Sequence, residues 1–385
     1  MNQPLDLIKR LWLAGGICGV ILIILIAVGS LQGTDTLIVQ AREKSESNFS
    51  HTNHLASGGS QVFLPVILKS KSSQIQYRPY SNDSIWNTPI GPSPQYDPHS
   101  AEMIATIGLN GDGEIYSDPS QYTFPVYVVD KTSPRWTVDC IEYKCLIVTP
   151  NGTDSARQLR DVPIPHNARS SSGHDAQMII VDEASNAEYD FWHVEKTESG
   201  WKVGNGSVYN ILWDGMPTRY NSRGAGVPYF AGLIRPWEIR KGQIEHAIAF
   251  GYPEPAHAQC VFPASKTDGD STLTYAIPEG ARLQLDPSLT DADFDSMGLD
   301  GTGKIIARAL QEYGMFLIDS AGVPKVYVED LENNPYAKTQ WSDPELNLTN
   351  KSIANIPYTY FRVLALPERY WNSSAKSEMH GDCYR

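Results

Sequence analysis

The sequence has no strongly basic stretch. Its 44 acidic residues outnumber 31 basic ones, for a formal net charge of −13. That balance argues against a nucleic-acid partner, which would need a clustered positive surface. No CxxC or HExxH pattern occurs, and the five cysteines lack ligand spacing, so no metal is expected. No glycine loop of the phosphate-cradling kind leads into a helix. The Arg169-Ser-Ser-Ser-Gly173 segment lacks the G-x-S-x-G pattern of a nucleophile elbow. Asn110-Gly-Asp-Gly113 and Asp300-Gly-Thr-Gly303 lack the alternating oxygen ligands of a calcium loop and read as turns. No cofactor is expected. Internal repeats are missing too, and no second linker divides the chain after about residue 76.

The N-terminus supplies what the rest lacks, a long apolar run. Lys9 and Arg10 precede residues 11–28, which carry no charge and are dense in Leu, Ile and Val. Eighteen residues come close to the roughly 20 that cross a hydrocarbon core as helix. The basic flank, residues 1–10, belongs in the cytoplasm. Residues 11–30 are therefore expected as a transmembrane anchor or, with small residues at Ala27 and Gly29, as a cleaved signal peptide. Either reading puts the remainder outside the cytoplasm. Residues 31–76 are rich in Ser, Gln, Asn and Thr and read as a flexible polar stalk. Residues 77–385 are long enough for one large core with a C-terminal extension.

Four cysteines lie beyond the apolar run, an even number that suits an oxidising compartment. Cys140 and Cys145 are expected to clip a tight hairpin, and Cys260 and Cys383 to tie the C-terminus to the core. Free thiols remain the alternative, because spacing does not prove connectivity. Short apolar runs between Gly, Pro, Asn and Asp predict strands at 123–129, 145–149, 177–182, 188–194, 243–250, 282–285, 315–319 and 325–328. Helical periodicity is clear at 303–313, and Pro236 suits a first helical position. The expected fold is mainly β, a β-sandwich or jelly-roll-like domain with one or two short helices.

The segment between His174 and Phe250 carries most of the chemistry. Two strand-like runs flank Glu183-Ala-Ser-Asn-Ala187, a hairpin signal. If Asp182 pairs with Ala187, side-chain alternation puts Asp175, Gln177, Asp190 and Trp192 on one face. Tyr189, Phe191 and His193 fall on the other. An indole beside carboxylates and an amide suits a sugar. Further on, residues 243–250 predict a strand with Ile244, His246, Ile248 and Phe250 on an apolar face. Glu245 then sits among small alanines, with Arg235 and Arg240 as candidate ion partners. Asp268, in Lys266-Thr-Asp-Gly-Asp270, belongs to a turn that could serve as a substrate loop.

Several blocks in order resemble a family of secreted bacterial proteins. They are His174 with Ile-Ile-Val-Asp182, Glu188-Tyr-Asp-Phe-Trp192, Gly232-Leu-Ile-Arg235, Gly242-Gln-Ile-Glu-His-Ala247, Phe262-Pro-Ala264, Gly280-Ala-Arg-Leu283 and Tyr313-Gly-Met315. The resemblance implies export and a shared fold, and it carries over no catalytic role.

The function expected from these residues is that of an exported carbohydrate-active protein. Its partner would be a polysaccharide or cell-envelope glycan, with the membrane engaged through residues 11–30. Glycoside hydrolysis needs paired carboxyl groups; Asp190 and Glu245 are the expected pair, with His174 and His246 as further candidate acid–base groups. Trp192, Tyr189, Gln177, Asp175, Arg235 and Asp268 are the expected substrate contacts. A polysaccharide lyase with a His or Tyr base is one alternative. A noncatalytic glycan- or envelope-binding module is the other.

Overall fold

Every residue of the strand Met178–Asp182 is buried, which requires that both faces of its sheet be covered. The computed structural model describes residues 78–109, 112–217 and 220–367, together with strand residues 23–27, 38–42, 369–371 and 381–382. Within the large unit the fold is mainly β, with several sheets and a few short helices.

Three sheets of four to six strands stack with a helical layer, and a smaller three-stranded sheet adds to the same cores. A four-stranded sheet has the order Glu195–Thr197, Gly200–Val203, Arg135–Cys140, Gln158–Pro163. A six-stranded sheet follows, in the order Val126–Val129, Met178–Asp182, Ala187–Trp192, Asn205–Asn210, Cys145–Thr149, Gly152–Ala156. The two share a core built from Val138, Val162 and Trp201 on one side and Tyr127, Met178, Ile180 and Phe191 on the other. Alternation sends Val126, Ile179 and Val181 the opposite way. They meet Ala247, Ala249, Phe316, Ile318 and Tyr327 in a second core.

That second core rests on a five-stranded sheet with the order Lys325–Val326, Ile248–Tyr252, Met315–Ser320, Arg282–Leu285, Phe361–Val363. Its other face carries Ile248, Phe250, Leu283, Met315 and Leu317, packed against Ile306 and Leu310 of the helix Gly301–Glu312. Asp300 caps this helix by accepting from the Gly303 N–H at 2.7 Å. Gly314 ends it at φ 68°, where an added Cβ would lie 2.3 Å from the Leu283 carbonyl. Ile248–Tyr252 and Met315–Ser320 run parallel, as do Val126–Val129 and Met178–Asp182. A jelly roll built of antiparallel strands has no such pairs.

The expected hairpin register is present, with Asp182 opposite Ala187 and Ile179 opposite Asp190. Two local expectations need correction. The strand expected at 243–250 begins only at Ile248, because Gly242 closes the preceding helix Pro236–Lys241 at φ 81° and the chain needs several residues to turn back. His193 does not continue the alternation of Tyr189 and Phe191, since its φ of 52° swings it out of the strand.

In the N-terminal unit, Ile23–Ala27 and Ile38–Arg42 pair as an antiparallel ladder. Ile23–Ala27 falls inside the run expected as a membrane helix, and its isoleucines suit a strand. No helix among the described residues is long and apolar enough to cross a membrane. The rest of the expected membrane segment, and the rest of the stalk, lie outside the described residues.

Cys140 and Cys145 form the expected disulfide, with Cα atoms 5.8 Å apart. The clip joins the end of a four-sheet strand to the start of a six-sheet strand. Cys260 is buried in the second core; Cys383, its expected partner, lies outside the described residues.

Candidate functional site

A cavity of about 780 Å³ opens where the six- and five-stranded sheets part. Asp175, Gln177, Trp192 and Asn205 line it from the six-stranded side. Asp319 and Tyr327 line it from the five-stranded side, and two loops supply Asn221, Arg223, Tyr229, Lys266, Asp268 and Asp270. Tyr116, Tyr122 and Lys325 complete a mixed aromatic and charged wall.

Three carboxyl groups meet at this wall. One oxygen each from Asp268, Glu279 and Asp319 lies within 4.8 Å of the others. Asp319 stands near the end of the apolar strand Met315–Ser320, so the strand delivers its carboxyl to the cavity. It accepts from the Gly224 N–H at 3.0 Å and from the Tyr327 hydroxyl at 3.3 Å. Those bonds favour the charged form, as does Arg223. Burial and the charge of Asp268 outweigh them and raise its pKa to about 7. Asp268 accepts from the Ser320 N–H at 3.2 Å. Behind them Glu279 is fully buried, and burial with Asp268 and Asp319 nearby pushes it well above the carboxylate range. A Cβ at position 224 would meet both Asp268 and Glu279, at 2.3 and 2.6 Å. Only glycine lets the backbone come this close.

Cations surround the cluster. Arg223 is buried, with its guanidinium over the rings of Tyr327 and Phe124 at 4.8 and 4.9 Å. Its Nη2 donates to the Tyr229 and Ala231 carbonyls, while Nε and Nη1 have no partner among the described residues. Lys266 Nζ donates to the Arg223 carbonyl at 2.6 Å. Lys325 Nζ donates to the Gln121 carbonyl at 2.8 Å, and burial lowers its pKa to about 8. Among the described residues, Tyr122, Ala176, His193 and Arg223 hold left-handed backbone angles at or beside the cavity. Strain of this kind tends to collect at working sites.

Of the residues singled out from sequence, the structure brings Asp175, Gln177, Trp192 and Asp268 together in the cavity. Asp190 shares their sheet face but lies one layer deeper, fully buried. It accepts from the Tyr229 N–H and the Ser222 hydroxyl, each at 2.8 Å. Burial raises its pKa to about 6 despite those bonds. Its neighbour Glu188 accepts from the Tyr80 hydroxyl at 2.7 Å and the Phe230 N–H at 2.9 Å.

Glu245 does not join Asp190. It is half-buried on the turn after Gly242 and pairs with Lys241. His246 is buried, held between Glu238 and the Ala247 carbonyl at 2.9 Å each. Burial opposes its protonation, but Glu238 more than compensates and raises its pKa. Arg235 starts the same short helix, paired with Glu329 and packed over Phe230 at 4.6 Å. Tyr189 turns to the core on the opposite face of the sheet. His174 is exposed, 3.3 Å from His193.

Asp319, Arg223 and Glu279 were not singled out from sequence. A weak signal existed for two of them: Asp319 is a lone carboxylate ending Met-Phe-Leu-Ile, and Arg223 precedes Gly-Ala-Gly. No family model, curated protein or solved structure matches this chain.

Proposed function

We propose that the cavity takes a carbohydrate chain and that the protein is an exported glycoside hydrolase acting through Asp319 and Asp268. The carrying observation is the approach of these two carboxyl groups at an aromatic-lined cavity wall. Paired carboxyls about 5–5.5 Å apart belong to the retaining route, whereas inverting enzymes hold them about 6.5–9.5 Å apart. The close approach favours retention. Asp319, raised to about 7, suits the acid that protonates the leaving oxygen. Asp268 then attacks the anomeric carbon, and water releases the sugar with Asp319 acting as base. Trp192 and the exposed Tyr122 offer ring faces to sugar C–H groups, while Gln177, Asn205 and Asn221 supply amides for hydroxyls.

This pair replaces Asp190 with Glu245. A lyase is less well supported. Burial and nearby carboxylates push Tyr229 and Tyr327 well above the usual phenol range, so neither is a ready base. His246 stands away from the cavity in its own ion pair.

In keeping with this reading, the four- and six-stranded sheets around their shared core are taken as a sandwich. The polar segment and the apolar run before residue 77 are taken as a stalk and a membrane tether that present the domain to an envelope or external glycan.

The test is a polysaccharide screen with the full chain, following reducing ends and ultraviolet-absorbing unsaturated products. Release of reducing sugar that Asp319→Asn and Asp268→Asn each abolish supports the reading. Unsaturated ends would favour the lyase. Glycan binding without turnover would favour the noncatalytic module.

A further inference from the structure

A second cluster of chemistry lies at the rim of the same cavity and plays no part in the proposed hydrolysis. His174 and Asp175 precede the strand Met178–Asp182, and His193 follows its partner Ala187–Trp192. The two segments run side by side there. The His193 N–H donates to the Asp175 carbonyl at 2.9 Å and the Val194 N–H to the Ala176 carbonyl at 3.0 Å. In a regular strand His193 would point away from Trp192. Its φ of 52° instead lays the imidazole on the indole, with ring centroids 3.3 Å apart. The turn brings His193 Nε2 to 3.3 Å from His174 Nδ1, and one oxygen of Asp175 completes a group whose members lie within 4.8 Å of one another.

Three details of this arrangement go beyond proximity. Two imidazole nitrogens bound to one tetrahedral zinc at about 2.0–2.1 Å stand about 3.3 Å apart, which is the separation of these two. The far nitrogen of His193, Nδ1, lies 2.7 Å from Glu142 Oε1. A carboxylate there holds the proton on Nδ1 and leaves the Nε2 lone pair facing His174. A histidine oriented in this way by an outer carboxylate is the usual support of a metal ligand. Finally, a Cβ at Gly204 would come within 2.8 Å of Glu142 Oε1 and 3.0 Å of the His193 Cβ. The glycine is the space in which those two side chains meet.

We propose that His174, Asp175 and His193 bind a divalent transition-metal ion, zinc by the character of the donors, with Glu142 as the outer partner of His193. Two imidazoles and a carboxylate leave one position of a tetrahedral ion for water or ligand. Asp175 also lines the cavity, so the ion would sit at its rim. The site stands whether or not Asp319 and Asp268 hydrolyse a sugar.

The experiment is metal analysis of the full chain after chelator treatment and dialysis against zinc, with cobalt(II) spectra as a second readout. One zinc per chain is expected, with cobalt giving the intense visible bands of a four-coordinate nitrogen–oxygen site. His174→Ala and His193→Ala should each remove stoichiometric binding. Glu142→Gln should weaken it about 10–100-fold, the cost of losing an outer-shell partner. His174 is exposed, so its replacement leaves folding intact and decides the matter if His193→Ala does not fold. No zinc retained by the unaltered chain would overturn the proposal and leave an imidazole–imidazole hydrogen bond. So would one equivalent that survives both histidine replacements.

Discussion

Asp268 and Asp319 offer carboxyl oxygens within 4.8 Å of each other, and the Gly224 N–H fixes Asp319 from behind at 3.0 Å. Two carboxylates this close resist being charged together, so one of them keeps a proton to a higher pH. On the proposed reading, burial of Asp319 together with the charge of Asp268 separates the acid from the nucleophile. Asp319→Asn keeps the shape and removes the acid. We expect kcat on a polysaccharide substrate to fall about 10²–10⁴-fold, the usual weight of general acid catalysis, with glycan affinity changed by less than about threefold. Equal turnover by the variant would remove Asp319 from the mechanism.

The same proton sets a pH dependence. Asp319 acts as acid only when protonated, so kcat/KM should decline as pH rises through about 7. Stability carries a matching sign. The folded pKa lies above the ordinary 3.8, so folding favours the protonated form. That contribution is complete below about pH 4 and is lost as pH rises through about 7. Asp319→Asn cannot ionise, and in urea melts at pH 8 it should be more stable than the unaltered chain by on the order of 2–4 kcal/mol. The difference should shrink toward pH 4. A gap that does not change with pH would mean that Asp319 titrates normally.

Much of the framework was legible from local pattern. Apolar runs such as Met178–Asp182 and Arg282–Leu285 matched strands because burial on both faces leaves little else for them to be. The hairpin around residues 183–186 was readable from its polar connection, and with it the shared face of Asp175, Gln177 and Trp192. What failed did so at backbone conformations that periodicity does not encode. The left-handed turn at His193 moved an imidazole to the opposite face, and Gly242 sent Glu245 to the surface. Asp319 and Asp268 are 51 positions apart, and Arg223 joins them from a third segment. Only the packing of the segments after Lys266–Thr267 and around Gly224 against the end of the strand Met315–Ser320 brings them together, and no local signal reports that.

Asp190 holds the cavity from beneath rather than acting within it. Its Oδ2 accepts from both the Ser222 hydroxyl and the Tyr229 N–H, which bracket the loop bearing Arg223 and Gly224. Asp190→Ala would leave both donors buried without an acceptor, at about 1–3 kcal/mol each. A loss of roughly 2–5 kcal/mol in urea melts is expected. Asp190→Asn, which still accepts through one oxygen, should fold and keep kcat within about tenfold while raising KM. A kcat loss as large as that of Asp319→Asn would return Asp190 to a catalytic role.

The Cys140–Cys145 bond offers a separate check on how the four- and six-stranded sheets are joined. Both sulfurs are buried in the core that these sheets share. The loop it closes is short, with a sequence separation of 5, so the chain-entropy contribution is small, about 2 kcal/mol. Replacing both cysteines with alanine adds the loss of buried sulfur contacts, and a total of roughly 3 kcal/mol is expected from urea melts. The cavity lies at the far side of the six-stranded sheet, lined by Trp192 and Asp319 rather than by this core. Glycan affinity should therefore survive the replacement at temperatures where the variant stays folded. Loss of binding by a folded variant would show that the disulfide clip reaches the cavity through the strand Cys145–Thr149.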